Sequence, residues 1–165
     1  MSWLGARRIE LARCGSTSDE ALRLARAGAE HGTLVIAERQ DAGRGRLDRR
    51  WVSPPGNLYL SLVLRLPGPP IAHAALPLAI GVAVVDALAE LGVTAGLKWP
   101  NDVGVLVRPD DVGVLGAAGW RKLGGVLAEA TGGTAPAIVV GIGLNLAAPL
   151  APELAAIATS VALLR

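Results

Sequence analysis

The sequence predicts an α+β domain: a mixed or antiparallel sheet with helices packed on one face. Three observations predict it. Residues 57–66 alternate strictly, with Leu58, Leu60, Leu62, Leu64 and Leu66 on one side and Tyr59, Ser61, Val63 and Arg65 on the other, the period of a strand. Residues 74–91 are apolar almost all round and long enough for a helix buried against a sheet. Strand-like runs at residues 96–99, 103–107, 122–129 and 137–142 then follow in succession, so the strands are grouped.

The remaining elements fall into place in chain order. Residues 7–12 read as a short strand. Thr17-Ser18-Asp19-Glu20 places a hydroxyl three residues before a carboxylate, the capping-box signature of a helix start. Ala21, Leu22, Leu24 and Ala25 continue at helical spacing, and Gly28 is the predicted stop. Residues 33–38 are a compact β-branched run, a predicted buried strand. Residues 41–56 hold three Gly, two Pro and four Arg and are a predicted loop. Residues 108–120 read as a flexible excursion, and the Ala-rich residues 149–165 are too short for a second domain. The leucine face of residues 58–66 has two readings, core or homodimer interface, and core is preferred.

Composition narrows the function classes. The 165 residues fit one domain, and 16 Lys and Arg against 14 Asp and Glu leave a net charge of only +2. That balance excludes a highly charged disordered tail and argues against holding nucleic acid by bulk charge. Apolar residues are 52% of the chain, enough for a core, and it is aliphatic because there is no Phe. Mean hydropathy is +0.45, yet the apolar stretch 71–91 is interrupted by His73, Pro77, Asp86 and Glu90, leaving its uninterrupted part too short to span a bilayer. With no secretory core at the N-terminus and a single cysteine, Cys14, the expectation is a soluble, cytoplasmic protein without an internal disulfide.

The familiar catalytic signatures are missing. His31 and His73 have no companions at ligand spacing, and neither a Walker loop nor a complete G-x-G-x-x-G is present. Four constellations remain. Gly43-Arg44-Gly45-Arg46, continued by Arg49, Arg50 and Trp51, lets backbone approach a ligand while guanidiniums offer forked donors to carboxylate or phosphate. A solvated basic loop or an RNA-touching Arg-Gly motif is the alternative. Lys98-Trp99-Pro100-Asn101-Asp102 projects a cation, an amide and a carboxylate into one volume, or is an ordinary turn. Lys122-Leu123-Gly124-Gly125-Val126-Leu127 puts a glycine pair inside a strand, which suits close approach of a ligand or of another backbone, or a bulge. In Gly141-Ile142-Gly143-Leu144-Asn145, the asparagine leaves an apolar strand through a glycine hinge, or simply ends it.

In this order, and together with Gly15-Ser16-Thr17-Ser18, Gln40-Asp41-Ala42, Asn57-Leu58-Tyr59-Leu60-Ser61 and Ala158-Thr159-Ser160, these stretches resemble the biotin–protein ligases, the biotin–[acetyl-CoA-carboxylase] ligase family. The resemblance runs from about residue 8 to residue 160. It implies a class II synthetase-like catalytic domain over 1–165. Biotin and ATP would form biotinyl-5′-AMP and pyrophosphate, and a lysine of a biotin carboxyl carrier protein domain would then take the biotin. By resemblance Lys122, Arg44, Arg46 and Lys98 are the catalytic set. Ser16, Thr17, Gln40, Gly43, Arg44, Arg46, Lys122 and Gly125 are the biotin set. Arg46, Arg49, Trp51, Asn57, Asn101, Asp102 and Asn145 are the ATP and adenylate set, with Trp51 stacking on adenine. Mg²⁺ would arrive with ATP, without a dedicated protein site, and Asp102 is its candidate contact. Lipoate or octanoate transfer on a related fold, through Cys14 if by acyl-cysteine, and a non-catalytic biotin binder are the alternatives.

Departures from the pattern carry expectations of their own. Ser18 stands where the family has Asn, and Arg46-Leu47-Asp48-Arg49 stands where it has Arg-Arg-Gly-Arg. Asp48 takes away a glycine's freedom and adds negative charge beside the phosphates, which predicts weaker retention of the adenylate. The segment between Asp102 and Lys122 is longer than usual. No N-terminal helix-turn-helix is recognisable, so DNA is not an expected partner, nor is a membrane; the small C-terminal β domain that the family uses to help with ATP and the carrier protein is not recognisable either.

Overall fold

Period-two patterning decides the sheet, and small aliphatic contacts decide what covers it. The computed structural model describes residues 4–107, 119–133, 136–147, 154 and 156–164. Seven strands, β1 (Arg8–Leu11), β2 (Leu34–Ala37), β3 (Leu58–Leu64), β4 (Gly96–Lys98), β5 (Asp102–Val107), β6 (Gly119–Ala130) and β7 (Ile138–Leu144), form one sheet in the order β1-β2-β3-β7-β6-β5-β4. The β1–β2 pair is parallel and every other pair antiparallel, so the sheet is mixed, as expected. The predicted excursion lies outside the described residues up to residue 118, and Gly119 and Trp120 already belong to β6.

Two helices cover this sheet, α1 (Thr17–Arg26) and α2 (Leu76–Glu90), and they lie on opposite faces. Ala21, Leu22 and Ala25 of α1 pack with Val35, Val63 and Val139. Leu76 and Ile80 of α2 pack with Leu64, Val126, Ile138 and Val140. Since neighbouring residues of a strand point to opposite sides, Val63 with Val139 and Leu64 with Val140 mark different faces. The one-face expectation is therefore corrected. Both sides of β3 and β7 are apolar, and each needs cover.

The alternation in β3 holds with an unexpected emphasis. Tyr59, Ser61 and Val63, not the leucines, are the fully buried set. Leu64 is buried, Leu62 and Leu66 pack beside α2, and Leu58 and Leu60 are half-buried. A turn at Pro70–His73 leads into α2, which buries only Gly81 and Leu88 fully. Pro70–Glu90 is long and apolar enough, by length and composition, to cross a membrane, contrary to the reading that its interruptions leave it too short. It packs instead by one stripe on β4, β5 and β6.

The capping box does not form. Ser16, with extended dihedrals of −153° and 134°, is the N-cap and makes no side-chain cap bond. Thr17 instead directs its backbone N–H (2.7 Å) and hydroxyl (3.1 Å) to the Gln40 side-chain oxygen. Asp19 and Glu20 still complement the helix dipole from the first turn. Gly28, at φ +89°, follows the helix end as predicted.

A bulge in β6 sets the phase of the site. Val103 pairs with Gly124 but Gly104 pairs with Lys122, so Leu123 is the extra residue. Lys122 and Gly125 consequently share a face: a Cβ on Gly125 would lie 3.5 Å from Lys122 Cε. Leu123 enters the opposite face beside Leu88, Val93, Val103 and Val105. A bulge and a close backbone approach both account for the glycine pair, because a Cβ on Gly124 would come within 2.6 Å of the Gly143 carbonyl. Leu88 anchors α2 here at 2% exposure, so Leu88→Ala should destabilise the fold by about 2–4 kcal/mol, read from the midpoint of a urea transition with an unchanged slope.

Candidate active site

On the α1 face of the sheet, beyond the helix, lies a cavity of about 700 Å³. Its floor is β6 and β7, through Lys122, Gly125, Leu127, Gly141, Ile142 and Gly143. Residues 16–18 at the start of α1 and Gln40 close one end, and the turn from β4 to β5 brings Lys98, Trp99, Asn101 and Asp102 to another. The Trp99–Pro100 bond in that turn is cis. The final described segment completes the wall: Lys122 N–H donates to the Ile157 carbonyl and Thr159 N–H to the Lys122 carbonyl, both at 2.9 Å. That segment occupies the edge β7 leaves free, and places Leu154, Ile157 and Ala158 in the lining.

The loop over the cavity is a small hairpin. Trp51 N–H donates to the Gly43 carbonyl (2.8 Å) and Gly45 N–H to that of Arg49 (2.7 Å). Leu47 (φ +55°) and Asp48 (φ +57°) form its tip, the positive pair that a mirror-image hairpin turn requires. At the base, Gln40 Nε2 donates to Ser53 Oγ (2.9 Å), and the Ser53 hydroxyl donates to the Trp51 carbonyl (3.0 Å). A second polar contact chain runs beneath: the Ser61 hydroxyl donates to Thr17 Oγ1 at 2.9 Å and lies 3.2 Å from Ser18 Oγ.

Six cations line the cavity, Arg44, Arg46, Arg49, Arg50, Lys98 and Lys122, and among the described residues Asp102 is the one lining carboxylate. Lys122 Nζ donates to Asp102 Oδ1 at 2.6 Å and sits 5.2 Å from the centre of the Trp51 ring. Arg44 forks onto Glu129, Nη1 to Oε1 at 2.8 Å and Nη2 to Oε2 at 2.5 Å. Its Nε is an ion-pair neighbour of Asp19 Oδ1 at 3.0 Å, without hydrogen-bond geometry. Burial lowers the Arg44 pKa, but the bond and charge of Glu129, with Asp19 and Asp48, more than offset that and raise it above its ordinary value. Arg50 donates to the Asp41 carbonyl at 2.8 Å. Among the described residues the side chains of Arg46, Arg49 and Lys98 make no hydrogen bond or ion pair.

The fold gathers thirteen of the residues singled out from sequence into this lining: Ser16, Thr17, Gln40, Arg44, Arg46, Arg49, Trp51, Lys98, Asn101, Asp102, Lys122, Gly125 and Asn145. Gly43 and Asn57 are not among them. Gly43 stands behind the wall, where a Cβ would lie 2.5 Å from the Trp51 carbonyl. Asn57 Oδ1 accepts from the N–H groups of Leu146 (2.8 Å) and Ala147 (3.0 Å), clasping the exit of β7. Two lining asparagines have their amides engaged, Asn101 on the Val126 carbonyl (2.9 Å) and Asn145 on that of Thr159 (3.1 Å). Sequence reasoning missed Glu129 and Trp120 as residues of the site. Glu129 was legible as the carboxylate in phase with Gly125 and Leu127 on the otherwise apolar half of the strand after Lys122.

Two alternatives lose their residues. Cys14 does not line the cavity, and burial followed by the charges of Glu20, Asp41 and Asp19 pushes its thiol pKa up, away from a nucleophilic thiolate. Tyr59 is 1% exposed, with its hydroxyl on the Pro54 carbonyl, so no base can stack on it.

The sequence matches the model of the biotin/lipoate A/B protein ligase family over residues 11–145. The chain belongs to that family. It is 45% identical over 120 residues to the bifunctional ligase/repressor BirA of Escherichia coli, a match covering 70% of this chain and 33% of that protein. It is 40% identical over 155 residues to the biotin–[acetyl-CoA-carboxylase] ligase of Paracoccus denitrificans, covering 89% of this chain and 57% of the relative. The structure superposes on biotin protein ligase from Aquifex aeolicus in complex with biotin and ATP with a TM-score of 0.73 and 33% identity, over 94% of this chain and 60% of the other. The chain thus spans between one third and three fifths of the length of these relatives. The family resemblance and the α+β class both stand.

Within this family member, Trp51 depends on Gly143, since a Cβ there would fall 2.7 Å from the indole Nε1. Gly143→Ala should displace the ring, red-shift its contribution to tryptophan emission and cost about 1–3 kcal/mol in chemical denaturation.

Proposed function

We propose that this chain joins biotin to AMP and passes biotin on to a lysine of a carrier domain of the biotin carboxyl carrier protein kind. In the first step a biotin carboxylate oxygen bonds to the α-phosphorus of ATP while the bond to the β-phosphate oxygen breaks, and pyrophosphate leaves. In the second, the lysine amine attacks the acyl carbon, AMP leaves and the amine loses a proton. The observation that carries the reading is the cavity in which six cations face one carboxylate. Bringing a carboxylate within 4 Å of a phosphate anion costs about 4 kcal/mol at an effective dielectric constant near 20, and local cations offset it.

Lys122 is the group for the reacting atoms, held at the floor by Asp102 and over the Trp51 ring. Arg46, Arg49 and Lys98 are the cations left for carboxylate and phosphate oxygens. Ser16, Thr17 and Gln40 supply polar groups for the ureido ring, beside the apolar side chain of Leu127. Trp51 offers the aromatic surface for adenine. Asn101 and Asn145, with engaged amides, shape the nucleotide end through the backbone they hold. Mg²⁺ would arrive with the ATP phosphates, with Asp102 the lining carboxylate at hand. Bound there, it would neutralise phosphate charge.

Incubation with biotin and labelled ATP tests the reading. Pyrophosphate release should require biotin and fall at least about a hundredfold in Lys122→Ala. Release indifferent to biotin, or greater with octanoate, would overturn it. Biotin binding without pyrophosphate release would favour the binder, and labelling of an added carrier domain tests the second step. Asp48→Gly should relieve left-handed strain of about 1 kcal/mol and slow adenylate dissociation, and equal dissociation rates for the two proteins would refute the retention argument.

A further inference from the structure

We infer that Glu129, assisted by Asp19, is a positioning residue for this cavity: its carboxylate holds Arg44 so that the hairpin of residues 43–51 stays over the floor with Arg46 and Arg49 at the lining. The inference rests on the proposed ligase reading and deepens it, because it takes Arg44 out of the group that meets the ligand.

Three observations carry it. First, the Arg44 fork is fully aligned on Glu129, with both terminal nitrogens on separate carboxylate oxygens, and Asp19 lies against the third nitrogen. Paired forks of this kind are among the stronger side-chain contacts, and they fix orientation as well as distance. Second, the partners come from three elements: the loop, the first turn of α1 and the far half of β6. The contact therefore closes the hairpin onto both walls of the site. Third, charge decides what Arg44 can attract. One guanidinium between two carboxylates makes a locally negative group, which an incoming carboxylate or phosphate would avoid. Arg46, Arg49 and Lys98 carry no such partner among the described residues. The lining therefore separates Arg44, which fastens, from Arg46, Arg49 and Lys98, which receive, with Lys122 held at the floor by Asp102 and Arg50 on the Asp41 carbonyl.

Glu129→Gln keeps the shape and removes the charge. Two measurements on the full chain read it: trypsin cleavage within the ligand-free hairpin, and the dissociation rate of biotinyl-5′-AMP. The expected result is several-fold faster cleavage and about tenfold faster adenylate release, with the thermal midpoint nearly unchanged. Adding Arg44→Ala to Glu129→Gln should then change release less than about twofold, since both act through one contact. Unaltered cleavage in Glu129→Gln would overturn the inference. So would a further tenfold loss from Arg44→Ala in the Glu129→Gln background, which would put Arg44 on the ligand itself. If the unmodified chain released no biotin-dependent pyrophosphate, the ligase reading would fall, while the cleavage measurement would still decide the tether.

Discussion

The placement of Lys122 depends on a single extra residue in β6. In a regular strand, residues three apart point to opposite sides, yet Lys122 and Gly125 both face the cavity. Leu123 makes this so by occupying the bulge and burying completely among Leu88, Val93 and Val103 on the other side. The position of the cation is therefore fixed by an apolar anchor beneath the floor, where packing is least tolerant of movement. The same irregularity lets Asn145 N–H donate to the Leu123 carbonyl (2.8 Å) and opens β6 to the segment carrying Ile157 and Thr159. One bulge thus recruits the end of the described chain into the site wall.

A cavity for two anions must tolerate concentrated positive charge before either arrives. Concentrated like charge destabilises the folded state, and removing each cation from water adds to that. Pairing limits the cost where geometry matters: Asp102 sits on Lys122, and Glu129 and Asp19 sit on Arg44. The unpaired guanidiniums lie on the hairpin, where solvent still reaches them. The arrangement keeps attraction for ligands in mobile-length side chains near water and keeps alignment in the floor.

Much of this was legible in the sequence, and the failures have physical causes. Period-two alternation located β3, because a sheet residue's environment follows from its parity, and strand-like runs located β5, β6 and β7. It did not say which parity faces which helix: Tyr59 and Ser61, polar at their tips, are buried more deeply than the leucines because partners at Pro54 and Thr17 satisfy them. Local signals failed where a distant partner competed. Thr17 abandons its helix cap for Gln40, twenty-three positions on, and Asn57 clasps backbone beyond β7 instead of facing the cavity. The arginine-rich loop, the Lys-Trp-Pro-Asn-Asp turn and Lys122 were readable because charge and glycine in an aliphatic chain need a reason. Glu129 was passed over because its reason, Arg44, lies eighty-five positions away.

The hairpin itself is set between two opposing terms. At its base, backbone pairs and the Arg44 fork draw it toward β6 and α1. At its tip, Leu47 and Asp48 both adopt left-handed dihedrals that cost non-glycine residues roughly 1–2 kcal/mol each, and Leu47 is 83% exposed, gaining no core contact in return. A half-exposed charged fork contributes on the order of 1 kcal/mol. The strain of the two tip residues, roughly 2–4 kcal/mol together, exceeds the fork alone and is matched only with the two backbone pairs at the base, at about 1 kcal/mol each. On the proposed reading, a loop so balanced would lift to admit two substrates and settle once an anion engages Arg46 and Arg49. A more rigid tip would hold the product better and admit the reactants more slowly.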